Sequence, residues 1–218
     1  DDSRRLMKDC MKALNIDEKT LGHKVILSEI GRAKDSLLAP EEYAAQPAVS
    51  SDFRLKKVAQ CYAMYQRRLK EADAMDFDDL LCKTVELFTS CPDVLERYQK
   101  RYRYIMVDEY QDTNRVQARL VRLLAGEAGN VMAVGDDAQS IYAFRGADVR
   151  NILDFPKLFP GTRVIRLEEN YRSTQPVLDV ANAVLAPASE GFRKNLFTTK
   201  ENTPKTPRVR LVRPMSDL

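Results

Sequence analysis

Histidine is nearly absent from this chain, and cysteine never comes in close pairs. His23 is the one histidine, and Cys10, Cys61, Cys82 and Cys91 show no C-x-x-C spacing. Structural zinc sites draw their ligands from these residue types at short, repeated spacings. No zinc centre is therefore expected, and the four cysteines read as reduced and mostly packed. Long apolar runs are missing too. Nothing approaches the roughly 18 residues that a membrane-spanning helix needs, and no signal-like amino terminus is visible, so no membrane partner is expected. Internal repeats and low-complexity tracts are absent. Glycine is scarce, with 8 residues in 218, and none belongs to a G-x-x-x-x-G-K-[ST] phosphate loop.

What is present suits a soluble, folded protein of one or two domains, with 44% hydrophobic and 31% charged residues. The net charge of +3 hides an uneven distribution. Arg54, Lys56, Lys57, Arg67, Arg68 and Lys70 lie in a stretch without acids, interleaved with Tyr62 and Tyr65. The spacing of Leu55, Val58, Ala59, Tyr62, Tyr65 and Leu69 predicts a helix there. Its basic side reads either as a phosphate-facing surface or as a plain solvated face. A second basic excess runs from Arg193 to Arg213 and is broken by Pro204 and Pro207, which reads as loop and edge strand.

The densest chemistry lies at Tyr104–Asn114, YIMVDEYQDTN. A short apolar run suits a buried strand of a parallel sheet. Asp108 and Glu109 then emerge at its carboxyl end, where open α/β sheets bind ligands. Adjacent carboxylates there are costly unless something positive compensates them, and a hydrated magnesium ion carrying a nucleotide does so. In that reading Asp108 and Glu109 are the metal-side pair, Asp108 holding the magnesium shell and Glu109 activating a water. In the plainer reading this is a strand end closed by acids that also cap the next helix, for which Asp112, Thr113 and Asn114 are the candidates.

Two further clusters follow apolar runs. VGDDAQSIYAFRGAD (Val134–Asp148) follows Val131–Val134, and LEENYRST (Leu167–Thr174) follows Val164–Leu167. Three such strands separated by helical periodicity describe a parallel sheet with crossover helices, its polar clusters on one edge. Gln139 is placed to sense a terminal phosphate. Tyr142, Phe144 and Arg145 make a platform for single-stranded bases. Tyr171 and Arg172 pair a ring with a planar cation, able to stack a purine and neutralise phosphate charge.

Around these, Asp1 to about Ala72 reads as all helical: Ser3–Leu14, Lys24–Leu37, a loop around Pro40–Pro47, then Ser51–Ala72. Asn15, Gly22, Gly31 and Pro40 punctuate it. Asp76 is a candidate N-cap with Asp79 three residues on. Further helices are expected at Asn114–Ala125, with Val116, Leu120, Val121 and Leu124 inward and Arg115, Arg119 and Arg122 outward, and at Gln175–Leu185. A strand is expected at Arg208–Val212.

The three polar clusters, in this order and spacing, resemble motifs II, III and IV of the UvrD/Rep family of superfamily 1 DNA helicases. MDFDDLL at Met75–Leu81 looks like the family's motif before the acidic strand, and FRKNLFTTKEN at Phe192–Asn202 like the segment opening its second motor domain. The resemblance implies an α/β fold: part of a RecA-like P-loop NTPase sheet plus an all-helical inserted subdomain. It divides the chain into 1–72 (inserted subdomain), 73–167 (carboxyl-terminal half of the first motor domain) and 168–218 (crossover and start of the second). It implies ATP and Mg2+ as cofactors, with Asp108, Glu109, Gln139 and Arg172 as catalytic residues and Tyr171 stacking on adenine. Tyr142, Phe144 and Arg145 would face DNA, with single-stranded DNA and single/double-strand junctions as partners. Movement from 3′ to 5′ and a cytoplasmic, DNA-associated place of bacterial type are implied as well. Relatives commonly carry Trp where this chain has Phe144, which stacks with less area. The missing phosphate loop makes the chain an expected middle fragment, inactive alone. A non-catalytic nucleic-acid-binding module is the alternative, against which stand the costly acids Asp108 and Glu109 and the cation Arg172.

Overall fold

The helical spacing of the amino-terminal third becomes five helices around one core. In the computed structural model, which describes residues 2–201 and 209, these are α1 (Asp2–Ala13), α2 (His23–Asp35), α3 (Pro40–Ala44), α4 (Pro47–Ser51) and α5 (Phe53–Glu71). Met7 and Cys10 of α1, Ile26 and Ile30 of α2, and Val58, Cys61, Tyr62 and Tyr65 of α5 meet in the interior, at the three- and four-residue intervals of amphipathic helices. All four cysteines are free thiols, Cys10 and Cys61 buried.

The stretch expected as a loop around Pro40–Pro47 holds two short helices instead. Each proline occupies the first turn of its helix, where the missing N–H has no intrahelical partner to lose and the fixed φ is already helical. Gly31 does not break α2 either. It sits within the helix, where a Cβ would make ordinary contact with Asp78 Oδ2 at 3.5 Å, so the position demands no glycine.

Asp78 belongs to α6 (Phe77–Ser90), followed by α7 (Pro92–Arg101), β1 (Ile105–Val107), α8 (Arg115–Ala125), β2 (Val131–Ala133), α9 (Arg150–Leu153), α10 (Phe155–Leu158) and α11 (Gln175–Leu185). β1 and β2 pair in parallel with Ile105 opposite Val131 and Val107 opposite Ala133. They form a β–α–β unit whose helix, α8, packs against α6 and α7. The burial of β1 alternates, with Met106 exposed between half-buried Ile105 and Val107, whereas the sequence suggests burial on both faces. Among the described residues, helices cover only one face of this pair. The expected third strand, Val164–Leu167, is not a strand. Its backbone finds no neighbouring ladder among the described residues, and backbone groups without a ladder define no strand. A single parallel bridge, Glu169 to Phe197, follows it. The strand expected at Arg208–Val212 lies, but for Val209, outside the described residues. No described helix is long and apolar enough to cross a membrane.

One buried cation joins the helical part to the rest. Lys34, in the last turn of α2, is 2% exposed. Its Nζ lies 2.7 Å from Asp76 Oδ2 and 2.9 Å from Asp79 Oδ1. Asp76 caps α6: its Oδ1 accepts the Asp79 amide at 2.8 Å, and Asp79 Oδ2 accepts the Asp76 amide at 3.3 Å. Tyr65 Oη donates to Asp76 Oδ2 at 3.1 Å and Gln66 Nε2 to Asp79 Oδ1 at 2.8 Å. Every carboxylate oxygen of the pair is thus engaged. Burial pushes the Asp79 carboxyl up, but Lys34, Gln66 and the Asp76 backbone outweigh it and hold the group below its ordinary 3.8.

Lys34→Met strands two buried carboxylates and should cost about 3–5 kcal/mol, read as a lower urea midpoint at unchanged slope. The folded Asp79 value lies below the unfolded one, so the network's contribution is present above pH 3.8 and lost as pH falls below it. The gap between wild type and Lys34→Met should therefore close in acid. A variant within 1 kcal/mol of wild type at neutral pH would remove Lys34 from this role.

Candidate functional site

β1 ends at Val107, and the chain turns at once. Glu109 adopts φ 51°, ψ 42°, a left-handed conformation uncommon outside glycine. The turn brings the Glu109 amide to Asp108 Oδ1 at 2.9 Å and leaves both acids exposed at the sheet's carboxyl edge. They do not cap the next helix. Asn114 does, with its Oδ1 accepting the Gln117 amide at 2.8 Å and Gln117 Oε1 accepting the Asn114 amide at 2.9 Å. The acids are thereby left for other chemistry.

Asp108, Glu109, Asp112 and Thr113 open onto a cavity of about 410 Å³ backed by Leu120 and Val121 of α8. Asp112 Oδ1 is buried there without a hydrogen-bond partner. No described trio of His, Cys, Asp or Glu forms a cage able to hold a metal by itself. Magnesium does not need one, since it keeps several waters and takes one or two carboxylates beside a substrate's phosphates. Two exposed acids and an orphaned carboxylate oxygen beside an open cavity fit such an ion.

The turn after β2 is tied to this edge through Gln111, which the sequence reading passed over. Gln111 is 1% exposed. Its Nε2 donates to Glu109 Oε2 at 2.8 Å, and its Oε1 accepts the Asp136 amide at 3.0 Å. Asp136 Oδ2 in turn accepts Gln139 Nε2 at 2.8 Å. A continuous relay thus runs from Glu109 to Gln139. Burial raises the Asp136 carboxyl, but Lys194, Gln139 and the Ala138 amide outweigh it and hold it below its ordinary value. The second signal missed was Lys194 itself, visible in the sequence only as part of a basic excess.

Beyond the relay, a 3-10 turn at Ala143–Arg145 carries Phe144, with Tyr142 immediately before it. The Tyr142 and Phe144 rings stand 5.9 Å apart at 50°, and Phe144 is 76% exposed, so it is not a core residue. Gly146 closes the turn at φ 84°, and a side chain there would collide with Asp35 of α2. Arg145 belongs to the same turn.

Tyr171 and Arg172 sit on a separate tip. Asn170 Oδ1 accepts the amides of Arg172 at 3.0 Å and Ser173 at 2.7 Å, an Asx turn that lifts both side chains into solvent. Tyr171 Oη donates to Glu169 Oε2 at 2.8 Å, and that hydrogen bond and charge push its phenol up. Among the described residues, no ion pair joins Arg172 to Glu168 or Glu169. Those acids accept the Asn195 amide at 2.7 Å and Thr199 Oγ1 at 2.9 Å instead. The structure therefore joins Asp108, Glu109 and Gln139, and it sets Tyr142 and Phe144 a few residues along the same loop. Among the described residues it forms no hydrogen bond from Tyr171 or Arg172 to that group.

A parallel strand pair with acids at its carboxyl edge, a helix crossing between the strands and a polar relay to the next turn make up the edge at which open α/β sheets bind ligands. The model of the UvrD/REP helicase N-terminal domain matches residues 1–160, and the chain belongs to that family. It is 46% identical over 195 residues to a protein of Leuconostoc citreum named ATP-dependent DNA helicase PcrA, a match covering 89% of this chain and 26% of that protein. Proteins of the same name from Staphylococcus aureus (strain Mu50) and Staphylococcus epidermidis are 43% identical over 204 residues, covering 94% of this chain and 28% of theirs. The chain thus spans about a quarter of the length of the curated relatives it matches.

Gln111→Met should destabilise the chain by about 1–3 kcal/mol, since the Asp136 amide and the Glu109 carboxylate both lose a partner. Denaturant unfolding of the variant checks this. An unchanged midpoint would mean that the relay is not a structural tie.

Proposed function

We propose that this chain is part of an ATP-dependent DNA helicase and carries its magnesium-side and DNA-side residues. The observation behind the proposal is the relay from Glu109 through Gln111 and Asp136 to Gln139, which binds the acidic strand end to the turn that presents Tyr142 and Phe144. Residues 1–72 are then the inserted helical subdomain, 73–167 the carboxyl-terminal half of the first motor domain, and 168–218 the entry to the second.

In this reading Asp108, with Glu109 beside it, would hold a hydrated magnesium ion, which would supply positive charge against the nucleotide's phosphates. Glu109 takes a proton from the water whose oxygen attacks the terminal phosphorus. The bond from that phosphorus to the bridging oxygen breaks, giving ADP and inorganic phosphate. The left-handed turn at Glu109 aims the carboxylate before substrate arrives, so little reorganisation remains for the reactive step. Gln139 lies at the end of the relay and reaches the terminal phosphate. Tyr171 stacks on adenine, and Arg172 brings its planar fork to the phosphate as the two motor domains close. Closure shifts the platform of Tyr142, Phe144 and Arg145 along single-stranded DNA. Repetition gives translocation, from 3′ to 5′ by family likeness, and opening of single/double-strand junctions. Such a protein works in the cytoplasm on DNA.

The 218 residues contain no phosphate loop. The chain alone should release no phosphate from ATP with or without single-stranded DNA. The full-length protein should do so, and Glu109→Gln should abolish the activity. Steady Glu109-dependent turnover by the isolated chain would refute the division of labour proposed here.

Arg172 gives a sharper check. Lysine keeps the charge and loses the fork, so Arg172→Lys in the full-length protein should leave single-strand affinity nearly intact and lower turnover by about 10²-fold or more, on the scale of arginine fingers. Melting and turnover measured on one preparation separate this from a structural effect. A destabilised but fully active variant would take Arg172 off the catalytic residues.

A further inference from the structure

The turn after β2 places two more acids, Asp136 and Asp137, on the edge that already holds Asp108 and Glu109. A polyanionic nucleotide is asked to settle there, and crowded like charges oppose it unless a donor or cation intervenes. The compensating groups come from a distant stretch of chain. Lys194 Nζ pairs with Asp136 Oδ1, the two side chains being 17% and 25% exposed. The Phe192 amide donates to Asp137 Oδ2 at 3.3 Å. Gly191, at φ 120°, lies so close to Asp137 that no side chain fits there. The Phe192 ring packs on the cluster of Tyr110, Ile152 and Phe155. Residues 191–194 form a clasp over the two acids.

The clasp shares its target with the relay. Asp136 Oδ1 takes Lys194 and the Ala138 amide, the latter at 3.0 Å, while Oδ2 takes Gln139 Nε2 at 2.8 Å. Lys194 is thus the one cation paired with Asp136 among the described residues, and Gln139 is the other side-chain donor. We propose that Lys194 is a positioning residue of the nucleotide site: by holding the Asp136 charge it releases the Gln139 amide to leave Asp136 for the terminal phosphate. The proposal rests on the helicase reading above. Without the ammonium, the carboxylate keeps Gln139 as its remaining side-chain donor, and a charge-assisted hydrogen bond of that kind is costly to give up. The bare carboxylate would also face the incoming phosphates.

The test uses full-length protein with ATP, with and without single-stranded DNA. It compares wild type, Lys194→Met, Lys194→Arg, Gln139→Ala and the Lys194→Met/Gln139→Ala double variant. Lys194→Met should raise KM for ATP about fivefold or more, the lower range of a coupling between linked groups. Lys194→Arg should restore most of it. Gln139→Ala should cost less in the Lys194→Met background than in wild type, because the amide is already held back. A lysine that only braces the fold lowers the melting temperature and leaves the Gln139→Ala effect equal in both backgrounds, and that additive result overturns the proposal. Should Lys194→Met fail to fold, Lys194→Gln carries the same comparison, and additivity there overturns it equally. A wild type that hydrolyses no ATP overturns the helicase reading itself. An active wild type with additive losses overturns only the role of Lys194.

Discussion

The ammonium of Lys34 is buried between Asp76 and Asp79, and the arrangement of the helices follows from what such a group requires. A charge taken out of water must have opposite charge and hydrogen bonds in fixed places. Here the places are the last turn of α2, the cap of α6 and the middle of α5, which supplies Tyr65 and Gln66. Sliding α2 along α6 by one turn would strand all three charges. Apolar packing alone tolerates several registers, whereas this network tolerates one. Because α6 also packs on α8, the position of the helical part is passed on to the helix that crosses between β1 and β2.

From α8 the constraint reaches the site by short steps. Asn114 caps α8 and donates to Asp35 Oδ1 at 2.6 Å, while Asn151 Nδ2 donates to the Thr113 carbonyl at 2.8 Å. The acidic turn is therefore held from behind by a helix cap and from the side by Gln111. Burial raises the Asp35 carboxyl, the neighbouring Asp78 raises it further, and Asn114 partly offsets both.

The elements legible in the sequence were those with local causes. The helices α5, α8 and α11 follow from apolar periodicity, and the Asp76–Asp79 capping box from a spacing of three. β1 and β2 follow from apolar runs ending in acids and glycine. The two helices at Pro40 and Pro47 were hidden because proline marks both loops and helix starts. The run Val164–Leu167 has a strand's composition, but a strand is a property of a pair. Asp108, Glu109 and Gln139 were readable as a pattern, yet the residue that connects them was not. Gln111 has no periodic signal, and its part arises from burial between two turns far apart in sequence. Lys194 was likewise lost within a basic stretch, because charge counting does not say which lysine faces an acid.

Compact helical parts are commonly treated as modules that can be lifted out of one protein and set into another. The contact between Asp35 and Gly146 argues against that freedom here. Gly146 has a left-handed backbone and no room for a Cβ because Asp35 occupies the space, while Asp35 also accepts from the cap of α8. The two positions cannot drift independently: a bulkier residue at 146 requires both a shorter one at 35 and a backbone that only glycine adopts easily. A helical part borrowed from a relative would have to bring the matching residue with it, or the aromatic turn beside Gly146 would be displaced by a graft made on the far side of the core.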